Sequence, residues 1–286
     1  MLETSNNNTY IHLHIIEYDF SFEDMEKFTQ LKTINKNIEC IFYTTKQVEY
    51  DFKGKMKNSM KCIGDYSRLF LPQIANNTDK LLILDSGDIL IQKDLTELFN
   101  FELGDNYFAW ALDMNSGTKS DDTFINNHLY GNIGVILTNC KLYRNEELYI
   151  KTIYAAYFST VLILPSQDLL SILPFYKVVI LPLKYNCKMF YETDEQMKNK
   201  VETFYIREYL RQQRYNSIRY SLEEIFEAAA DPVIFHYYGL KKLYHLTTCN
   251  KFTFQFIKYA KLTGVLDIIK EKCPNPFQYC EHKINN

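Results

Sequence analysis

The chain lacks several features that would assign it to a class at once. Its 286 residues carry a net charge of −3, so no excess of positive charge draws it to nucleic acid or to an anionic membrane. Its seven cysteines, at positions 40, 62, 140, 187, 249, 273 and 280, are odd in number and contain no CxxC pair. Such a set reads as reduced thiols rather than a disulfide framework. No apolar run approaches bilayer-spanning length, and the opening MLETSNNNTY is polar. Neither a transmembrane segment nor a signal peptide is therefore expected, and the expected location is cytoplasmic. Internal repeats, low-complexity tracts and linkers are absent as well.

What remains is a chain with 47% hydrophobic residues, enough to bury a full core. The abundant aromatics, 23 Tyr and 20 Phe beside one Trp, are not in themselves a binding signature. Tyr10–Tyr18 and Ile38–Thr44 read as strands, and Ser21–Thr29 opens with the helix-start signal S-F-E-D. Lys61–Pro72 reads as a helix and Leu81–Leu84 as a third strand. Further strands are expected at Tyr107–Leu112, Ile133–Thr138, Tyr176–Pro182 and Val233–His236, with a helix at Ser166–Leu173. Met197–Arg214 reads as a surface helix or long loop. From Phe252 to Lys272 apolar residues recur at helical spacing. Alternating strands and helices predict an α/β fold with a mixed, largely parallel sheet. The expected division is a main domain over 10–245 and a helical C-terminal extension over 246–286. That extension is expected to pack on the body, its acidic Asp267 and Glu271 arguing against an anionic membrane surface.

The most informative stretch is Lys80–Phe99, KLLILDSGDILIQKDLTELF. An apolar run ends in Asp85 and Asp88, separated by Ser86 and Gly87. Open α/β sheets place ligand chemistry at the carboxyl ends of their strands. Paired carboxylates there suit a hard divalent cation, which can in turn hold phosphate. Asp-Ser-Gly-Asp is also ordinary turn chemistry, so these four residues alone leave both readings open.

Several motifs then follow in one order: Tyr66, Arg68, Leu69, Leu71 and Pro72; Asp85, Asp88 and Asp94–Phe99; Tyr130–Val135; Ser166-Gln167-Asp168; Leu181–Asn186; and His236, Tyr237, Gly239 and Lys242. In this order and spacing, over roughly residues 10–245, the chain resembles the family 8 glycosyltransferases, retaining enzymes that include glycogenin and lipopolysaccharide hexosyltransferases. The resemblance implies a GT-A-like (Rossmann-like) fold and transfer of a hexose from a nucleotide sugar, in the first instance UDP-linked. It implies Mn²⁺ (or Mg²⁺) held by Asp85, Asp88 and His236, bridging the donor's phosphates. Arg68, Ser86, Asn132, Gly239 and Lys242 would contact the donor, and Asp113, Gln167 and Asp168 would stand at the reacting sugar. The acceptor, whether carbohydrate, lipid or protein, is not implied, and no nucleic-acid partner is.

Three departures from the pattern matter. The metal motif is Asp-x-x-Asp rather than Asp-x-Asp, which requires a tight turn or bulge at Gly87. Ser166 stands where the family has an aspartate, and Ser171 replaces a common asparagine. The family's first strand–helix unit, roughly 30 residues long, has no counterpart, since YIHLHIIEYDFSFEDMEKF fits the second. The last two motivate an alternative, a non-catalytic relative that binds a nucleotide or carbohydrate or serves in interactions. A metal-dependent phosphohydrolase would share the acidic strand end, but it leaves Asn132, Gln167 and His236 without a role.

Overall fold

The computed structural model describes residue 5, residues 9–53, 61–113, 130–158, 165–172 and 177–188, residue 203, and residues 220–237 and 251–272. Nine strands are present among them: β1 Ile11–Glu17, β2 Ile38–Thr44, β3 Lys80–Leu84, β4 Ile89–Ile91, β5 Phe108–Leu112, β6 Gly131–Asn139, β7 Val178–Ile180, β8 Cys187–Lys188 and β9 Ile234–His236. They form three sheets, ordered β1-β2, β3-β6-β5-β7 and β4-β9-β8. The pairs β1–β2, β5–β7 and β8–β9 run parallel, while β3–β6, β5–β6 and β4–β9 run antiparallel. The sheets are thus mixed, with antiparallel pairs as numerous as parallel ones. Among the described residues β3 pairs with β6 on one edge and with no strand on the other.

β6 and β5 are central because of their composition. In GNIGVILTN every residue but the last is buried, and FAWAL is buried throughout, as expected for strands covered on both faces. The largest fully buried side chain is Trp110. Its indole lies where a Cβ on Gly131 would stand, so only glycine permits this approach of β6 to β5.

The helix Lys61–Ile74 packs Tyr66, Leu69 and Phe70 into the core with Leu81, Ile83, Trp110 and Ile136. It runs two residues past the expected end at Pro72. The reason is Arg144, whose guanidinium donates to the carbonyls of Pro72, Ala75 and Thr78 at 3.0, 3.2 and 2.9 Å. These bonds satisfy acceptors that a helix end otherwise leaves to water. The helix Phe22–Thr29 begins with the expected capping box, Ser21 and Asp24 each accepting from the other's backbone N–H.

The predicted C-terminal helix is two helices, Lys251–Leu262 and Leu266–Lys272, broken at Gly264 with φ of +71°. Phe256 and Tyr259 pack against the cluster of Tyr220, Ile225 and Tyr237, and Gln92 donates to Gln255 at 3.0 Å. The extension therefore lies on the body through its apolar stripe. The charged segment 197–214 falls outside the described residues except for Thr203.

Candidate functional site

The acidic turn joins two sheets, and its conformation follows from that position. After β3 ends, the Asp85 N–H still donates to the Gly134 carbonyl of β6 at 2.9 Å. The chain then reverses through Gly87, whose φ of +85° is open to glycine and strained for other residues. The Asp88 carbonyl accepts from the Tyr237 N–H at 2.7 Å, and β4 begins with Ile89 directly opposite His236. Two ladders thus fix the two ends of one turn. The extra residue between the aspartates is absorbed at Gly87, as its sequence position requires.

The result is a convergence of Asp85, Asp88 and His236. One ligand atom from each lies within 4.8 Å of the others. His236 Nε2 stands 3.6 Å from an oxygen of Asp85 and 3.6 Å from an oxygen of Asp88. His236 and Asp88 are buried, while the Asp85 side chain keeps about a quarter of its surface exposed. Two carboxylates and one imidazole, with one carboxylate reachable from solvent, form a donor set that fits a divalent cation such as Mn²⁺.

The imidazole orientation is fixed from behind. A Cβ on Gly134 would lie 2.7 Å from His236 Nδ1 and 2.9 Å from Nε2, so the ring occupies the space a side chain would fill. His236 Nδ1 is 2.9 Å from Asn186 Oδ1. Asn186 Nδ2 donates to the Asn132 carbonyl at 3.2 Å and to Asn132 Oδ1 at 2.9 Å. Asn132 Oδ1 also accepts the Gly134 N–H at 3.1 Å.

Arg68, expected at the donor, sits beside the turn. It pairs with Asp85 at 2.8 Å, donates to the Ile133 carbonyl at 2.8 Å and, through Nε, to the Asp65 carbonyl at 3.2 Å. The planar guanidinium thereby orients one of the carboxylates. Ser86 is exposed on the turn. Gly239 and Lys242 lie outside the described residues.

A second group gathers where β5 ends and β6 begins. The Asp113 N–H donates to the Tyr130 carbonyl at 3.0 Å. Gln167, near the start of the helix Pro165–Ile172, donates to Asp113 Oδ2 at 2.8 Å, and the Tyr130 hydroxyl donates to Asp168 Oδ1 at 2.7 Å. Gln167, Asp168, Ser166 and Ser171 are all buried. Burial, and then the Asp168 carboxylate beside it, push the Tyr130 phenol well above its ordinary range, which keeps it a donor. Asp113 and Gln167 are thus brought together, with Asp168 beside Gln167 in the chain and held by Tyr130.

Sequence reasoning missed the roles of Tyr130, Gly134 and Asn186. All three stand in the quoted motifs, yet nothing local to them signals a task. Asn186 lies 50 residues from the histidine it touches, and only strand pairing joins them.

Comparison with known proteins agrees with this architecture. The family model for glycosyl transferase family 8 matches residues 2–246. The chain is 26% identical over 215 residues to the lipopolysaccharide 1,2-glucosyltransferase of Escherichia coli, covering 72% of this chain and 61% of that protein. In structure it resembles the bifunctional glycosyltransferase WbbM (TM-score 0.64, 19% identity, 85% of this chain and 43% of that one). It also resembles the galactosyltransferase LgtC in complex with donor and acceptor sugar analogues (TM-score 0.60, 18% identity, 92% and 88%). The chain therefore spans less than two thirds of the glucosyltransferase and under half of WbbM. The structural likenesses establish the GT-A-like fold expected from sequence. No helix among the described residues is long and apolar enough to cross a membrane. By the match over residues 2–246, the chain belongs to glycosyl transferase family 8.

Proposed function

We propose that this protein is a metal-dependent retaining hexosyltransferase that takes its sugar from a UDP-linked donor. The observation that carries the reading is the convergence of Asp85, Asp88 and His236 at a glycine turn between two sheets. Asp85, Asp88 and His236 would hold Mn²⁺ (or Mg²⁺). A bound cation supplies Lewis acidity to the departing nucleoside diphosphate. Arg68 keeps Asp85 in place, and Lys242 with Gly239 would complete the phosphate side, a point charge and a close backbone approach.

The second group would serve the sugar. Gln167 and Asp113, hydrogen-bonded to each other, present fixed polar atoms at the end of β5. Asp168 is held by Tyr130. Asn132 would meet the donor through atoms other than the Oδ1 that receives Gly134 and Asn186. Catalysis in such a site is electrostatic positioning. With Ser166 in place of an aspartate, no carboxylate is assigned as a nucleophile at that position. Residues 10–245 would form the catalytic domain and 246–286 its helical extension, acting in the cytoplasm, as the cysteine usage suggests.

The test is calorimetric titration of UDP into the purified chain with Mn²⁺, and again with EDTA. Binding that requires the metal supports the reading and justifies a screen of UDP-sugars for turnover. Absence of binding in both conditions overturns it. Metal-dependent UDP binding without hydrolysis or transfer of any sugar would favour the non-catalytic alternative.

A further inference from the structure

We infer that Asn186 is a positioning residue that fixes the tautomer of His236 and so aims its Nε2 at Asp85 and Asp88. The Gly134 N–H can only donate, so the Asn132 atom 3.1 Å away is the side-chain oxygen. The Asn132 main-chain carbonyl can only accept, so the Asn186 atom 3.2 Å away is the amide nitrogen. That same nitrogen meets Asn132 Oδ1 at 2.9 Å, and reversing the Asn186 amide would set oxygen against two acceptors. Asn186 Oδ1 is thereby turned to His236, 2.9 Å from Nδ1. An amide oxygen can only accept, so Nδ1 carries the proton of the neutral ring.

The consequence falls on the other nitrogen. With its proton on Nδ1, the neutral imidazole presents the Nε2 lone pair to the two carboxylates 3.6 Å away. Three acceptors facing one another repel unless a cation lies between them. A buried amide thus sets the ring as a ligand, the task a carboxylate or carbonyl performs behind many metal-bound histidines. Asn186, Asn132 and His236 are all buried, so water does not compete for these bonds.

The inference rests on the proposed metal reading, and two measurements separate their failures. ¹⁵N NMR of the metal-free wild-type protein, under conditions where the ring is neutral, is expected to show the His236 proton on Nδ1. A proton on Nε2 overturns the inference whatever the metal does. Mn²⁺ affinity is then followed by electron paramagnetic resonance for the wild type, Asn186→Leu and Asn186→Asp. Asn186→Leu removes the acceptor and is expected to weaken Mn²⁺ binding by roughly 10–100-fold. Asn186→Asp keeps an acceptor at Nδ1, its second oxygen facing the two Asn132 acceptors and satisfying them only when protonated, and is expected to lose less Mn²⁺ affinity than Asn186→Leu. Equal loss in both variants, or in neither, overturns the inference. If Asn186→Leu does not fold, the NMR arm still decides it. Wild type that binds no Mn²⁺ sinks the metal reading, while the tautomer remains decided by NMR.

Discussion

The imidazole of His236 occupies the space that any side chain at Gly134 would need, with Nδ1 2.7 Å from where a Cβ would stand. Neither partner can move cheaply. Gly134 is held in β6 through its neighbour Val135, which pairs with Leu84, and His236 pairs with Ile89. Gly134→Ala is therefore expected to lower stability by about 1–3 kcal/mol, the usual cost of overpacking. Because the displaced group is the ring itself, Mn²⁺-dependent UDP binding should fall as well. Thermal melts and titration calorimetry check the two effects. Wild-type metal dependence in a stable Gly134→Ala protein would show that the ring has room the packing denies.

Arg68 and the expected cation share one carboxylate, which makes their energetics interdependent. The guanidinium lies 2.8 Å from Asp85 and also holds the Ile133 carbonyl. Arg68→Met removes both of these bonds and the one to the Asp65 carbonyl, and leaves Asp85 beside Asp88 and His236 with that positive charge gone. A loss of about 1–3 kcal/mol is expected, at the low end because Asp85 is partly exposed. A divalent cation should restore much of it by replacing the missing charge. The rise in Tm on adding Mn²⁺ should thus be larger for Arg68→Met than for wild type. An equal or smaller rise would mean that Arg68 does not act through Asp85.

How much of this was legible in the sequence depended on how local each cause was. The capping box at Ser21 and Asp24, the strand ending at Leu84 and the turn at Gly87 are set by neighbours within a few residues, and each was expected. Asp85, Asp88 and His236 could be grouped because the motif order joined them across 150 residues. The antiparallel pairing of β6 with both β3 and β5 could not be read from strand composition, since a doubly covered strand is apolar whichever way its neighbours run. Ile74 as a helix end depends on a guanidinium 70 residues away. Gly134 and Asn186 acquire their roles only from strand register, which no local pattern encodes.

Tyr130 supplies a donor to Asp168 from a buried position. Tyr130→Phe keeps the ring's packing and removes only the hydroxyl, leaving Asp168 with one hydrogen bond fewer. Hydrogen bonds to charged groups contribute about 1.5–3 kcal/mol, so turnover should fall by roughly 10–100-fold if Asp168 serves the reacting sugar. UDP affinity should be unchanged if Asp168 serves the sugar and not the nucleotide. Steady-state kinetics beside UDP calorimetry separates the two. Unchanged turnover would remove Asp168 from the reacting centre.

The buried phenols predict how the fold responds to alkali. Burial is the largest cause that raises the Tyr143 and Tyr220 phenols above the ordinary 10.0. Tyr143 donates to the Leu69 carbonyl at 2.6 Å, and Tyr220 donates to the Leu181 carbonyl while accepting the Leu112 N–H, both at 2.9 Å. A raised folded-state pKa means that the unfolded chain loses these protons first. Their contribution is therefore complete below about pH 10 and is lost as pH rises toward the folded value, about 1.4 kcal/mol per pH unit for each phenol. Denaturant midpoints should fall as pH rises past the ordinary phenol range. Phenolate absorbance from these two residues should appear together with unfolding rather than before it. Tyr220→Phe should flatten the alkaline slope by one phenol's share. It should also cost about 1–3 kcal/mol at neutral pH, because the Leu112 N–H and Leu181 carbonyl lose a buried partner. An unchanged slope in Tyr220→Phe would show that this hydroxyl ionises as freely in the fold as in water.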